Sequence, residues 1–178
     1  MNLLNKTKTY LVGHMQYADG RGWRQKVREE LKPLNITVFD PYDKPFVKNL
    51  NEDETVRATF KTKLENGEYD FIQDRMREIR IFDLNLVDRS DFIIAHIIPS
   101  VASWGSAEEL VWSCRLKKPT FISVEGGKKC CPLWILGMFP HRYIYNNIDE
   151  ILNIIKGIDS GDISINNDRW RLLRPEYR

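Results

Sequence analysis

The sequence predicts an α/β fold of the flavodoxin-like/Rossmann-like kind, a mostly parallel five-stranded sheet with helices on both faces. Three observations carry this. Short apolar runs closed by glycine or Asp-Pro alternate with segments of helical period. The run Phe92-Ile93-Ile94-Ala95-His96-Ile97-Ile98 has no polar alternation, as expected of a strand covered on both faces. The order strand, helix, strand, insert, helix, strand, helix, strand, strand, helix is one that layers helices over a parallel sheet.

Each element has its own signal. Thr9 to Gly13 is a short buried strand ended by glycine, and a glycine-bearing loop follows, Ala18-Asp19-Gly20-Arg21-Gly22. From Trp23 to Leu34, Trp23, Val27, Leu31 and Leu34 form one apolar stripe, with Pro33 near the helix end. Ile36 to Phe39 is the second strand. Residues 41–69 read as polar and irregular, a long segment of the kind that carries function or moves. Asp70 to Arg89 is a helix whose stripe runs Ile72, Met76, Ile79, Asp83, Leu86. Phe92 to Ile98 is a strand, Gly105 to Leu116 a helix and Pro119 to Val124 a strand. Gly126 to Lys129 is a loop, Arg142 to Tyr145 the fifth strand and Ile148 to Ile158 the last helix.

The bulk properties narrow the class. A length of 178 residues suits one domain, 1–178, with the irregular insert near 41–69 and a C-terminal tail near 159–178. Apolar content of 42% with 29% charged residues is globular, and no apolar stretch reaches membrane-spanning length. The first residues lack a signal-peptide core, and Cys114, Cys130 and Cys131 make no disulfide framework, so a cytoplasmic protein is expected. His14, His96 and His141 show no ligand spacing with those cysteines, which argues against a metal site. A net charge of +2 does not by itself point to nucleic acid. The basic stretch Arg169 to Arg178 reads as a docked or solvated tail in preference to a nucleic-acid contact, with Trp170 and Tyr177 available to dock on a neighbour.

In such sheets ligands sit at the carboxyl ends of strands near the switch in strand order. That rule selects the loop after the first strand, with Gly13, His14 and Met15, and the segment from Pro99 to Glu109. Asp83 occupies a stripe position that periodicity assigns to an apolar residue. Either it caps or salt-bridges a partner, or the stripe runs through Phe82, or it faces a cleft, the last being preferred. The ring of Tyr10 points either into the core or at the cleft. Glu108 and Glu109 suit a helix N-terminus through its dipole alone. Both lie off the stripe Ala107, Leu110, Val111, Cys114 expected to be buried, so the helical wheel does not choose between them.

Three blocks resemble the nucleoside 2-deoxyribosyltransferase superfamily, over residues 8 to 125. Tyr10-Leu11-Val12-Gly13-His14-Met15 resembles its opening Tyr-Leu-Ala-Gly-Pro-Met strand and turn. Asp83 to Ala95 resembles its block of aspartate, helix end and apolar strand. Ser103-Trp104-Gly105-Ser106-Ala107-Glu108-Glu109-Leu110 resembles its Gly-x-Gly-x-Glu-Leu type of helix start. The resemblance implies that Glu109, four residues after Gly105, is the nucleophile, with Glu108 as the alternative. It implies that Asp83 handles the departing base by proton donation or a hydrogen bond, helped by a partly apolar setting, and that Tyr10 positions the nucleophile. The superfamily includes deoxynucleoside 5'-monophosphate N-glycosidases, and no cofactor or metal is implied.

The departures matter too. His14 and Gln16 stand where monophosphate-cleaving members have Ser and Arg, and Ser103 stands where transferases have a sugar-binding aspartate. Arg21, Arg24 and Ser103 are the substitute phosphate ligands, with Gly20 and Gly22 opening the backbone; an ordinary turn into the helix is the alternative. Met15, Trp104 and Trp134 are candidates for a wall against the base, with core or subunit-interface packing as the alternative for each Trp. The segment Pro132 to Met138 resembles one that reaches a neighbouring subunit's site, so a homo-oligomer is expected. The expected partner is a small-molecule nucleoside or nucleotide, with neither membrane nor nucleic acid. A nucleotide- or NAD-derived-ligand binding module, or an NAD-type glycohydrolase, would use the same fold.

Overall fold

The computed structural model describes residues 2–15, 20–44, 50, 54–165 and 168–174. The expected loop at Ala18 and Asp19, the departure at Gln16, and Tyr177 lie outside the described residues. The elements are β1 (Lys8–Gly13), α1 (Gly22–Leu31), β2 (Thr37–Phe39), α2 (Glu54–Glu65), α3 (Tyr69–Arg89), β3 (Phe92–Ile97), α4 (Trp104–Arg115), β4 (Thr120–Val124), α5 (Leu133–Met138), β5 (Ile144–Tyr145) and α6 (Ile148–Ser160). The five strands lie in the order β2-β1-β3-β4-β5, and every neighbouring pair is parallel. This is the flavodoxin-like order, with its switch between β1 and β3.

Alternation along the strands divides the core in two. Leu11, Phe92, Ile94 and Phe121 face α1 and α6, where Val27, Leu31, Ile151, Leu152, Ile155 and Ile158 cover them. Tyr10, Val12, Ile93, Ala95, Ile122 and Val124 face the other layer, with Leu86 and Val87 of α3, Leu110 of α4 and Ile135 of α5. Tyr10 therefore lies in the α3/α4 layer. The helix ends have local causes. Asn147 caps α6 by accepting from the Glu150 N–H at 2.9 Å, and Gly161 ends the helix at φ 87°, a conformation that suits glycine.

Several elements differ from expectation. α1 stops at Leu31, and a 3-10 turn, Lys32–Leu34, takes its place because Pro33 lacks the N–H a helix needs. The segment read as irregular contains α2. Val56, Phe60 and Leu64 recur at i, i+4 and i+8 there, but no α2 residue is fully buried, so the stripe is faint. α5 lies between β4 and β5, beyond the expected loop at residues 126–129, where no helix was expected. A parallel pair needs a crossover connection, so two adjacent parallel strands without a helix between them were an incomplete pattern.

The tail docks on its own chain. Trp170 is 1% exposed and packs on Phe92 and Phe121, with ring centroids 5.9 and 5.6 Å away. Arg169 donates to the Lys118 carbonyl at 3.2 Å, at the amino end of β4. Trp170→Ala is expected to lose about 3–5 kcal/mol of stability in urea unfolding. Trp170→Phe should cost distinctly less, because the indole N–H has no partner among the described residues to lose.

Candidate active site

The site lies at the carboxyl ends of β1 and β3. Gly13 pairs in register with His96 there. A side chain at Gly13 would put its Cβ 2.8 Å from the His96 carbonyl and 3.0 Å from the Trp23 ring, so glycine lets the two strands and α1 close together. Beyond Gly13 the chain is held by Arg24. Its guanidinium is completely buried and donates to the carbonyls of Gly13 (2.8 Å), His14 (3.1 Å) and Gly20 (2.5 Å). Asp40, just past β2, lies 3.6 Å from its Nε, and the Trp23 and Tyr42 rings lie against it, 4.5 and 5.2 Å from ring centre to Cζ. Burial disfavours the Arg24 charge, and Asp40 opposes that effect. Tyr42 in turn donates its O–H to the Met15 carbonyl at 2.8 Å.

The second wall is the start of α4. Ser103 caps the helix, its Oγ accepting from the Ser106 N–H at 3.4 Å and donating to Ser106 Oγ at 2.8 Å. The buried positions of α4 are Ser106, Leu110 and Ser113, whereas Ala107 and Val111 are exposed. The expected stripe was thus displaced by one position, because two small serines, and not the alanine and valine, face the sheet. Glu109, half-buried, lies beside Ser113 and Ser106 at the edge of this inward face. Tyr10 donates its O–H to Glu109 Oε1 at 2.7 Å. Glu108 lines the same cleft but is held by α3. Arg80 of α3 donates Nε to Glu108 Oε2 at 2.7 Å and Nη2 to Oε1. The hydrogen bond from Arg80 holds the Glu108 carboxyl below the usual range.

The third wall is α3. Asp83 is on the buried stripe, as its spacing suggested, and it also has a partner. Lys44 Nζ lies 3.0 Å from Oδ1 and 3.1 Å from Oδ2, and the Lys44 side chain has no exposed surface. The two alternatives of cleft and salt bridge hold together, on a lining that also carries Met76, Ile79 and Leu84.

These walls enclose a cleft of about 760 Å³. Gly13, Met15, Asp83, Ser103, Trp104, Gly105 and Glu109 all line it. Tyr10 lies beneath and reaches it through Glu109. His14 is buried beside His96, with ring centroids 6.4 Å apart, and is not on the lining. Arg24 is beneath the loop, and its guanidinium is committed to carbonyls. Arg21 stacks on Tyr42 at 4.5 Å and opens on a separate cavity of about 920 Å³ beside β2, where Arg28 already pairs with Asp43 at 2.9 Å. Trp134 is 80% exposed on α5, off the cleft.

Sequence reasoning missed Lys44, Arg57, Arg77 and Arg80. Arg80 had a signal, standing three residues before Asp83 on the same helix face. Arg57 was hidden with α2. Lys44 stands in no periodic segment and had none. Among the described residues no three His, Cys, Asp or Glu side chains gather as metal ligands, and no helix is long and apolar enough to cross a membrane.

The fold and site together define a parallel α/β domain with a carboxylate-lined crevice at its switch point. No protein-family model and no curated protein matches the chain. Solved structures do. A 2-deoxyribosyltransferase from Bacillus psychrosaccharolyticus superposes with a TM-score of 0.54 at 20% identity, covering 83% of this chain and 91% of that one. A conserved protein from Enterococcus faecalis V583 gives 0.52 at 14% identity, covering 86% and 99%. A CMP N-glycosidase from Clostridium botulinum gives 0.48 at 15% identity, covering 84% and 98%. The first two likenesses establish the fold, which is the one the sequence resemblance implied.

Arg24→Met would leave three loop carbonyls without their donor and Asp40 without its cation. It is expected to cost about 3–5 kcal/mol in urea unfolding, with partial recovery in Arg24→Lys.

Proposed function

We propose that the chain cleaves the N-glycosidic bond of a 2'-deoxynucleoside or its 5'-monophosphate, with Glu109 as nucleophile. The observation that carries this is the Tyr10–Glu109 hydrogen bond on a cleft whose opposite wall presents Asp83. The resemblance of the three sequence blocks and the shared fold of a 2-deoxyribosyltransferase support it, the latter as analogy only. One Glu109 oxygen attacks the anomeric carbon as its bond to the base nitrogen breaks, and the electron pair leaves with the base. The transition state is oxocarbenium-like, so a carboxylate held close stabilises it. Tyr10, donating to Oε1, fixes the carboxylate's rotamer. Water, or a second base, then attacks the glycosyl ester and releases Glu109.

Glu109 is preferred to Glu108 because their partners differ. Glu108 is neutralised by the guanidinium fork of Arg80, whereas Glu109 is oriented by the phenol of Tyr10. Arg57 and Arg77 line the same cleft and suit a 5'-phosphate, a role that Arg21 and Arg24 are not placed to fill. Leu133 and Trp134 of α5, 84% and 80% exposed, suit an interface between copies of the chain.

The test is incubation with deoxynucleosides and their 5'-monophosphates, with and without a second free base, and chromatography of the products. A new nucleoside formed only with the second base means transfer, and free base without it means hydrolysis. No product from any substrate rejects the proposal in favour of ligand binding alone. Glu109→Gln is expected to lower turnover by about 10³-fold or more. Glu108→Gln, which breaks a largely exposed ion pair, should stay within about fivefold of the parent. Arg57→Ala is expected to raise KM for monophosphates by about tenfold and leave that for free nucleosides unchanged.

A further inference from the structure

The ammonium of Lys44 is sealed beneath the cleft and sits astride both oxygens of Asp83, at 3.0 and 3.1 Å, while Asp83 keeps 11% of its side chain open to the cleft. An ammonium has three donors and no acceptor, and a carboxylate has only acceptors. Nζ donates to Oδ2 and lies 3.0 Å from the buried Oδ1, so a proton on either oxygen would lie against the ammonium. The pair therefore presents acceptors to the cleft and has no acid proton to give.

We infer that Lys44 is a positioning residue that makes Asp83 an acceptor, so that the site selects bases carrying an amino group beside a ring nitrogen. This rests on the N-glycosidic reading of the cleft. Such an edge, as in cytosine or adenine, becomes an amidinium when its ring nitrogen takes a proton from water. Its amino N–H then donates to the Asp83 carboxylate, a charge-assisted hydrogen bond beside the new positive charge. Protonated in this way, the base departs neutral: the C–N electron pair moves onto the ring, the new bond is between Glu109 and the anomeric carbon, and the proton has come from solvent. Asp83 thus promotes departure by stabilising a proton that it does not itself supply. A keto base puts a carbonyl oxygen where the amino group would be, and that oxygen faces another acceptor. A site built to receive a donor rejects the analogue that lacks one.

The test uses free bases, so that it does not depend on turnover. Binding of cytosine against uracil, and of adenine against hypoxanthine, is measured by calorimetry on the parent protein and on Lys44→Met, Lys44→Arg and Asp83→Asn. Each pair differs in the exocyclic group and the ring-nitrogen proton beside it. The parent is expected to prefer the amino base by about tenfold or more. Lys44→Met should abolish or reverse that preference, and Lys44→Arg should retain it. Asp83→Asn, which keeps the shape but adds a donor, should favour the keto base and serves if Lys44→Met does not fold. Equal binding within each pair in the parent, a keto preference, no binding of any base, or an unchanged preference in a folded Lys44→Met each overturns the inference. Deoxycytidine and deoxyuridine cleavage is followed in parallel. Base discrimination without cleavage of any nucleoside would reject the glycosidic reading and leave the role of Lys44 standing.

Discussion

The architecture of the cleft depends on one buried cation. Arg24 projects from α1 into the protein interior, where three carbonyl oxygens at and after the end of β1 accept from it. Buried carbonyls need donors, and few side chains other than arginine offer enough in a fixed plane to serve several at once. The charge is balanced by Asp40 at the end of β2, so a single side chain ties together the carboxyl ends of two adjacent strands. Tyr42 extends the tie by lying on the guanidinium and holding the Met15 carbonyl. The β1 wall of the cleft is set by these contacts before any ligand arrives.

Against that wall the protein places three carboxylates with the same intrinsic chemistry and separates them by their partners. Glu109 meets a phenol, Glu108 a guanidinium and Asp83 an ammonium. A neutral donor orients a carboxylate without taking its charge into an ion pair of its own. A guanidinium fork at the surface neutralises it. A buried ammonium keeps it as an acceptor at a fixed point. The side chain that differs least between Glu108 and Glu109 is thus the carboxylate itself, and their difference comes from α3 and β1, which are distant in sequence.

The same dependence on distant partners decides which features are legible in the sequence. The sheet was legible because strands covered on both faces are apolar runs, and the glycine after β1 marked the turn. Asp83 was legible because a charge broke a clear helical stripe. The order of α4 was misread because burial there follows Ser106 and Ser113, small residues chosen for closeness to the sheet, while Val111 and Ala107 face solvent. Arg24 read as an anion ligand because nothing local in a sequence distinguishes a guanidinium that binds substrate from one that binds its own backbone. α2 and Lys44 were missed for a related reason. The helix buries no side chain fully, and the lysine gains its role from a partner thirty-nine residues away.

The docking of Trp170 at the amino ends of β3 and β4 has a bearing on how the chain is made. Synthesis proceeds from the N-terminus, and all five strands have been produced before this tryptophan is available. Until then Phe92 and Phe121 lie under a gap in the layer formed by α1 and α6. The end of the sheet opposite the cleft is therefore covered only by residues made after α6. A chain cut between α6 and Trp170 would keep every residue of the cleft and uncover Phe92 and Phe121 at the opposite end of the sheet.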